Sequence, residues 1–334
     1  MSNIPVHRIN PLRYPGGKRW FAPYIERIIN NNGLRSSLFV EPFAGGAGVS
    51  LYLLYTNKVE SIGLADLDPL LSSFWKVVFS DVNNLLGKIE DTAITIDEWN
   101  YQKNNMFSSI EDKAFQCLFL NRTSFSGILE KKAGPIGGRN QNSKYPIDCR
   151  FNKKAIIETI LYLNKAYSDR VLFVWNKSWK YTLNRLSNEI QTKGLNGNKL
   201  LLYFDPPFIR QGESLYRCYF KKNHHIELRD ALAECELPWI LSYDDCEESR
   251  DLYRTIGHGS LDVLYCSSKT SKKGNTKAKS ELIVSNLKNT ISEILPSAQN
   301  RKRIAANSRR NDLGTESKEK TCQFNIPTLQ TGIR

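Results

Sequence analysis

The stretch from Ser37 to Leu67 does most to limit the folds open to this chain. It begins with a short apolar run, SLFVEP (37–42), that passes straight into the glycine-rich AGGAG of residues 44–48. Leu51, Leu54 and Tyr55 then follow at helical spacing, predicting a helix of about a dozen residues. A second apolar run, SIGLADL (61–67), ends in acid, and Pro69 opens another helical stretch. Strand, glycine turn, helix and strand in this order make a parallel βαβ unit. The expected class is therefore α/β, with a Rossmann-like and mostly parallel sheet.

The same rhythm appears on either side of a different middle. Upstream, Trp20, Phe21, Tyr24, Ile25, Ile28 and Ile29 predict a helix over 18–32 that stops at Gly33. Downstream, strands are expected at 171–175, 200–205, 239–243, 261–266 and 281–286, with a helix at 224–236. The last two strands face each other across SSKTSKKGNTKAKS (267–280) and should pair antiparallel. Between about 81 and 150 the rhythm fails: helical stretches, around 111–120, give way to GILEKKAGPIGGRNQNSKYP (127–146), which has no apolar period. Residues 1–80 and 151–294 then read as one domain interrupted by an 81–150 segment, with 295–334 as a flexible basic tail.

Composition narrows the class of partner. The chain has 334 residues, 40% of them hydrophobic, and a formal net charge of +13. An excess of this size favours a polyanion, nucleic acid above all. No apolar run is long enough to cross a bilayer, and Met1–Asn10 lacks the core of a secretory signal. Seven scattered cysteines without a CxxC pair suit reduced thiols in the cytoplasm. No cluster has metal-ligand spacing, so no metal is expected.

Four short segments carry chemistry. In LLLYFDPPF (200–208) an apolar run ends in Asp-Pro-Pro-aromatic, placing Asp205, Pro206, Pro207 and Phe208 at the carboxyl end of a buried strand, where open parallel sheets bind ligands. The prolines fix the turn and donate no hydrogen bonds. A carboxylate and a carbonyl there can both accept from one amino group while Phe208 stacks on its ring. Taken alone, the tetrapeptide fits a plain proline turn with a buried Phe equally well. FVEPFAGGAG (39–48) lets backbone approach a ligand. It is not a dinucleotide fingerprint, because Leu51 stands where the third glycine of GxGxxG belongs. Asp66 can accept from a ribose diol, whereas Asp68, followed by Pro69, suits a helix cap. In PLRYPGGK (11–18), Gly-Gly-Lys can aim donors at an anion.

Together with LNRTSFSG (120–127), these segments in this order resemble the Dam-like class of adenine-N6 DNA methyltransferases, from about Pro11 to Asn286. The resemblance implies a methyltransferase sheet with an inserted target-recognition segment, and S-adenosylmethionine as cofactor. It assigns cofactor contacts to Tyr14, Lys18, Glu41, Phe43, Gly45, Gly46, Gly48, Asp66 and Asp205, and catalysis to Asp205, Pro206, Pro207 and Phe208. The chain departs from the pattern at Phe208, where Tyr is commoner, and in GPIGGRNQ (134–141), which matches no common recognition loop. Arg122 is expected to contact double-stranded DNA, and Lys131, Lys132, Arg139 and Asn140 are the basic and polar candidates beside it. A cognate restriction endonuclease acting separately would fit such a protein. Cytosine N4, an RNA adenine or a non-catalytic DNA-binding module are the alternatives that the residues themselves leave open.

Overall fold

A computed structural model of the chain describes residues 4–14, 18–34, 37–130, 132–193, 199–210, 212–254, 256, 262–268, 277–287 and 322–326. The strands are β1 (Leu38–Glu41), β2 (Ser61–Ala65), β3 (Val171–Trp175), β4 (Leu200–Phe204), β5 (Trp239–Asp244), β6 (Asp262–Ser268), β7 (Lys277–Ser285) and β8 (Cys322–Ile326). The first six helices are α1 (Ala22–Asn31), α2 (Gly48–Tyr55), α3 (Pro69–Val78), α4 (Asn83–Asp91), α5 (Ile96–Asn104) and α6 (Ile110–Thr123). They are followed by α7 (Lys153–Tyr167), α8 (Trp179–Lys193), α9 (Gly212–Leu215), α10 (Lys222–Ala233) and α11 (Glu247–Tyr253). None of the helices among the described residues is long and apolar enough to span a membrane.

The chain divides into two compact units. One takes in Met1–Ala22, Ser36–Leu195 and Arg210–Tyr219; the other takes in Pro23–Arg35, Asn196–Ile209 and Phe220–Arg334. In the first unit β3, β2 and β1 lie side by side and pair in parallel. Phe39, Val40, Ile62, Leu64 and Ala65 are fully buried, as strands covered on both faces require. Helix α2 is shorter than the sequence leads one to expect. It ends at Tyr55, because Asn57 turns the chain through a left-handed φ of 52°.

Helix α3 begins where the Asp-Pro pair predicts, with the Asp68 side chain accepting from Leu70 N at 2.9 Å and Pro69 in the first turn. It packs against α6, and aromatic rings fill that part of the core: Phe74 on Trp75, Phe115 on Phe119, Phe119 on Phe151. Every residue of α6 from Ala114 to Asn121 is buried. Beyond α6 the stretch 127–146 forms no strand or longer helix among the described residues, as its composition predicts. The bridge from Ser124 to Pro135, Lys103 Nζ donating to Glu130 O at 2.7 Å, and the Gln141 side chain help hold it. That amide donates to Ile136 O at 2.8 Å and accepts from Ile147 N at 2.8 Å.

In the second unit β4 and β5 pair in parallel, with Tyr203 opposite Ile240 and Phe204 opposite Leu241. Strand β7 then pairs antiparallel with β5, and β6 with β7, the arrangement expected for the last two strands. Strand β8 adds an antiparallel partner to β6. Five residues of the stretch expected as a tail thus form a strand. The remainder of 295–334 lies outside the described residues, as do Lys131 and most of the late basic loop.

Candidate functional site

In the first unit the glycine turn is built around Asp66. Its Oδ2 accepts Gly45 N and its Oδ1 accepts Asp68 N, each at 2.8 Å. Further bonds fix the turn from outside it: Trp75 Nε1 donates to Gly45 O at 2.8 Å and Asn10 Nδ2 to Gly46 O at 2.6 Å. The Tyr14 ring lies against both glycines. A Cβ on Gly45 would come within 2.7 Å of Tyr14 Cε1, and one on Gly46 within 2.7 Å of Tyr14 Cβ. Gly45 also adopts a φ of 46°. Any larger residue would displace the tyrosine. At the end of β1, Glu41 is buried, and its Oε1 accepts Ser50 N in the first turn of α2 at 2.7 Å. Gly48 opens that helix, Phe43 is partly exposed in the turn, and Lys18 is buried at the head of the short 3-10 turn Arg19–Phe21.

Burial pushes the Asp66 carboxyl up to about 7; the Asp68 charge adds to this, and the two backbone N–H groups oppose it. Burial likewise raises the Tyr14 hydroxyl well above its usual range, with Asp66 and Tyr216 contributing. The segment after α9 closes on this group. Arg217 Nε lies 3.4 Å from Asp68 Oδ2, and the Tyr216 ring sits 6.1 Å from that of Tyr14. From the end of β3, Asn176 Nδ2 donates to Asp66 O and Leu67 O at 3.1 and 3.0 Å.

Two motifs 108 residues apart are joined in this unit. Asn121 Oδ1 accepts Arg13 N at 2.7 Å, and Asn121 Nδ2 donates to Arg13 O and Gly127 O. Gly127 has a φ of 74°, and a Cβ there would come within 2.0 Å of Arg13 O. Arg122 Nε donates to Pro11 O at 2.7 Å, so this arginine braces the N-terminal motif. Lys132, Arg139 and Asn140 are exposed. Phe125 is 67% exposed beside Ser126, which holds a strained φ of 55°.

In the second unit all five residues of β4 are buried. At its end Asp205 and Phe208 keep partial exposure, whereas Pro206 and Pro207 are buried. Strand β5 holds the turn at both ends. Ser242 Oγ donates to Asp205 Oδ1 at 3.2 Å, and Ile209 N donates to Asp244 Oδ1 at 3.2 Å. Tyr203 OH lies 2.8 Å from Ser242 Oγ. The parallel register sets Ser242 beside Asp205, one step beyond the Phe204–Leu241 pair. Underneath, His225 Nδ1 bonds the Tyr243 hydroxyl, and burial lowers the imidazole to about 4. His224 accepts Lys221 N with its Nδ1 at the start of α10. The paired histidines thus serve the helix start and the core.

The family of D12 class N6 adenine-specific DNA methyltransferases matches residues 14–266, taking in Asp66, the Asn121-Arg122 pair and Asp205. The chain belongs to that family. The Type II methyltransferase M.MjaIII of Methanocaldococcus jannaschii is 27% identical over 153 residues, 40% of this chain and 53% of the relative. The chain therefore spans about half the length of that curated relative. The parallel pairs and the antiparallel last strands agree with the Rossmann-like methyltransferase fold of the D12 class. Sequence reasoning missed Asn10, Trp75, Asn176, Arg217, Ser242 and Asp244, and it marked Asn121 only as part of a motif, without its tie to Arg13. The missed residues touch the turns from distant segments, and no local pattern marks them.

Proposed function

We propose that the protein transfers a methyl group from S-adenosylmethionine to adenine N6 in double-stranded DNA. The observation that carries this reading is the Asp205 turn of a D12-class chain. Its carboxylate keeps partial exposure at the end of a buried strand, takes a hydroxyl donor on one oxygen, and is followed by two prolines without N–H groups.

The first unit fits the cofactor. Each Asp66 oxygen takes one backbone N–H, and an ionised carboxylate with about four acceptor positions has room for a ribose diol. Glu41, Phe43, Gly45, Gly46 and Gly48 would line the cofactor, with Tyr14 and Lys18 above the turn. When bound, the cofactor supplies an electrophilic methyl on a sulfonium sulfur. In the second unit Asp205 and the Pro206 carbonyl would accept the two amino hydrogens of a flipped adenine, drawing the nitrogen lone pair out of ring conjugation. Asp205 would accept the proton the amine gives up. Phe208 would stack on the ring and help offset the unstacking cost of about a few kcal/mol. Lys131, Lys132, Arg139 and Asn140 would face the duplex, mostly its phosphates, while Arg122 would act through the N-terminal motif it braces. The exposed Phe125 is a further aromatic on that segment.

The same reading sets the protein in the cytoplasm, in a restriction–modification pair whose endonuclease acts separately. The Type II relative supports that setting. The test is to incubate duplex DNA with wild type and Asp205→Ala, digest it, and identify the modified nucleoside. N6-methyl-2′-deoxyadenosine from wild type alone is expected. A methyl on cytosine N4, methylation of RNA only, or unchanged turnover by Asp205→Ala would overturn the reading.

A further inference from the structure

A cleft of about 560 Å³ opens in the first unit; Arg8, Arg13, Arg122 and Asn152 wall it, beside Tyr14, Gly46 and Gly48 of the proposed cofactor turn. Its chemistry is cationic and incomplete. Arg13 Nη1 is buried with no hydrogen-bond partner among the described residues, and a buried charged donor left unpaired is costly. Burial, then the charge of Arg150, holds the Arg13 guanidinium below its usual range. Burial, then Arg13, then Arg150, pushes Arg122 down to about 10. Three guanidiniums thus repel one another, and none forms an ion pair with a carboxylate among the described residues. Arg8 is only loosely engaged, 3.9 Å from Glu158, with both side chains about half exposed. The opposite wall is the first turn of α7, where Asn152 caps Ala155 N at 3.0 Å and Ala155 and Ile156 line the cleft. The positive end of this 15-residue helix adds to the same field.

We propose that this cleft is a phosphate seat that takes one backbone phosphodiester of the DNA, held by Arg13 against the start of α7, with Arg150 supplying charge from next to Arg122, outside the lining. The proposal rests on the reading of the protein as a DNA methyltransferase. A guanidinium fork matches two phosphate oxygens at once. A helix N-terminus offers further donors to the same group. Arg122 plays a different part here. Its Nε is spent on Pro11 O and its Nη1 lies 3.4 Å from Arg150 O, so it carries the Arg150 backbone at the rim of the cleft. The seat carries no sequence information and fixes register only.

The test measures binding of a labelled duplex to the full chain across a salt series, for wild type, Arg13→Gln and Arg150→Gln. Arg150 is exposed, so the second variant does not threaten the fold. Losing one phosphate contact should reduce the slope of log K against log salt by about one and weaken binding on the order of tenfold near 0.1 M salt, alike for all duplex sequences. Unchanged slopes in both variants overturn the proposal. So does weakened S-adenosylmethionine binding with intact DNA slopes, which would give the cleft to the cofactor carboxylate. Inorganic phosphate raising the melting temperature of wild type but not of the variants, again with intact DNA slopes, would make the occupant a free anion. If wild type methylates DNA while the variants bind it unchanged, only the seat fails; if wild type neither binds nor methylates DNA, the functional reading fails first.

Discussion

Asp66 and Asp205 each stand just past the carboxyl end of a parallel strand, yet their surroundings are opposite in kind. Asp66 is wrapped by its own turns: the backbone N–H groups of Gly45 and Asp68 occupy one position on each oxygen, and sequestration lifts its carboxyl to about 7. Asp205 is followed by Pro206 and Pro207, which have no N–H to offer, and it receives a side-chain hydroxyl from the neighbouring strand. Backbone donors build a loop, so Asp66 shapes the surface of the glycine turn. A turn that supplies acceptors and no donors is suited to gripping an incoming amine. Position on the sheet is shared; the local supply of N–H groups decides what each carboxylate can do.

Exchanging each carboxylate for its amide puts that contrast under the greatest strain. Asp205→Asn turns an acceptor oxygen into a donor facing the amine, and kcat should fall on the order of 1,000-fold while the cofactor Kd, which Asp205 touches only at its edge, changes about a few-fold at most. Asp66→Asn should do the reverse, weakening cofactor binding while kcat at saturating cofactor stays within a few-fold of wild type. Stopped-flow turnover and calorimetric titration of both variants read the split. Matching losses of kcat in the two would erase the distinction.

A smaller effect is expected from the hydroxyl that orients Asp205. Ser242 has one hydrogen, given to Asp205 Oδ1, so Tyr203 OH must donate to Ser242 Oγ and the chain runs in one direction. A hydrogen bond to a charged group contributes about 1.5–3 kcal/mol, so Ser242→Ala should lower kcat by roughly 10- to 100-fold, with DNA affinity unaffected. Ser242→Thr keeps the donor and should recover most of the rate. Because the hydroxyl favours the ionised carboxylate, its loss should also move the acid limb of the pH–rate profile upward. An unmoved acid limb would reduce Ser242 to packing.

Some of this was legible in the sequence for stated reasons. β1 to β5 stood out because each is a short apolar run, closed by acid or proline in all but β3, which ends at Asn176, and Asp68 was marked as a cap by Pro69. Helix α6 was legible as a helical stretch around 111–120, though burial of every residue from Ala114 to Asn121 removes the polar face from which its full length would be recognised. Asn121 itself serves Arg13, 108 positions away, and no local pattern encodes such a tie. Ser242 was equally silent, since a serine in an apolar strand acquires meaning only when register sets it beside Asp205. Arg122 was expected, from the resemblance alone, to contact DNA; its bond to Pro11 O required the fold.

The mildest test separates the two carboxylates by pH alone. Ribose hydroxyls are donors, so cofactor binding needs Asp66 ionised. With the free group near 7, binding should tighten as pH rises through that value and level off above it. For a single such group the apparent Kd scales as one plus the ratio of protonated to ionised carboxyl, which predicts about a tenfold gain between pH 6 and pH 8. Proton release on binding, measured calorimetrically in two buffers of different ionisation enthalpy, should fall toward zero by pH 8. Asp66→Asn should flatten the profile, and Asp205→Asn should leave it in place, because Asp205 acts on the amine. A profile that flattens in the Asp205 variant instead would assign the ionisation to the wrong unit and reverse the comparison.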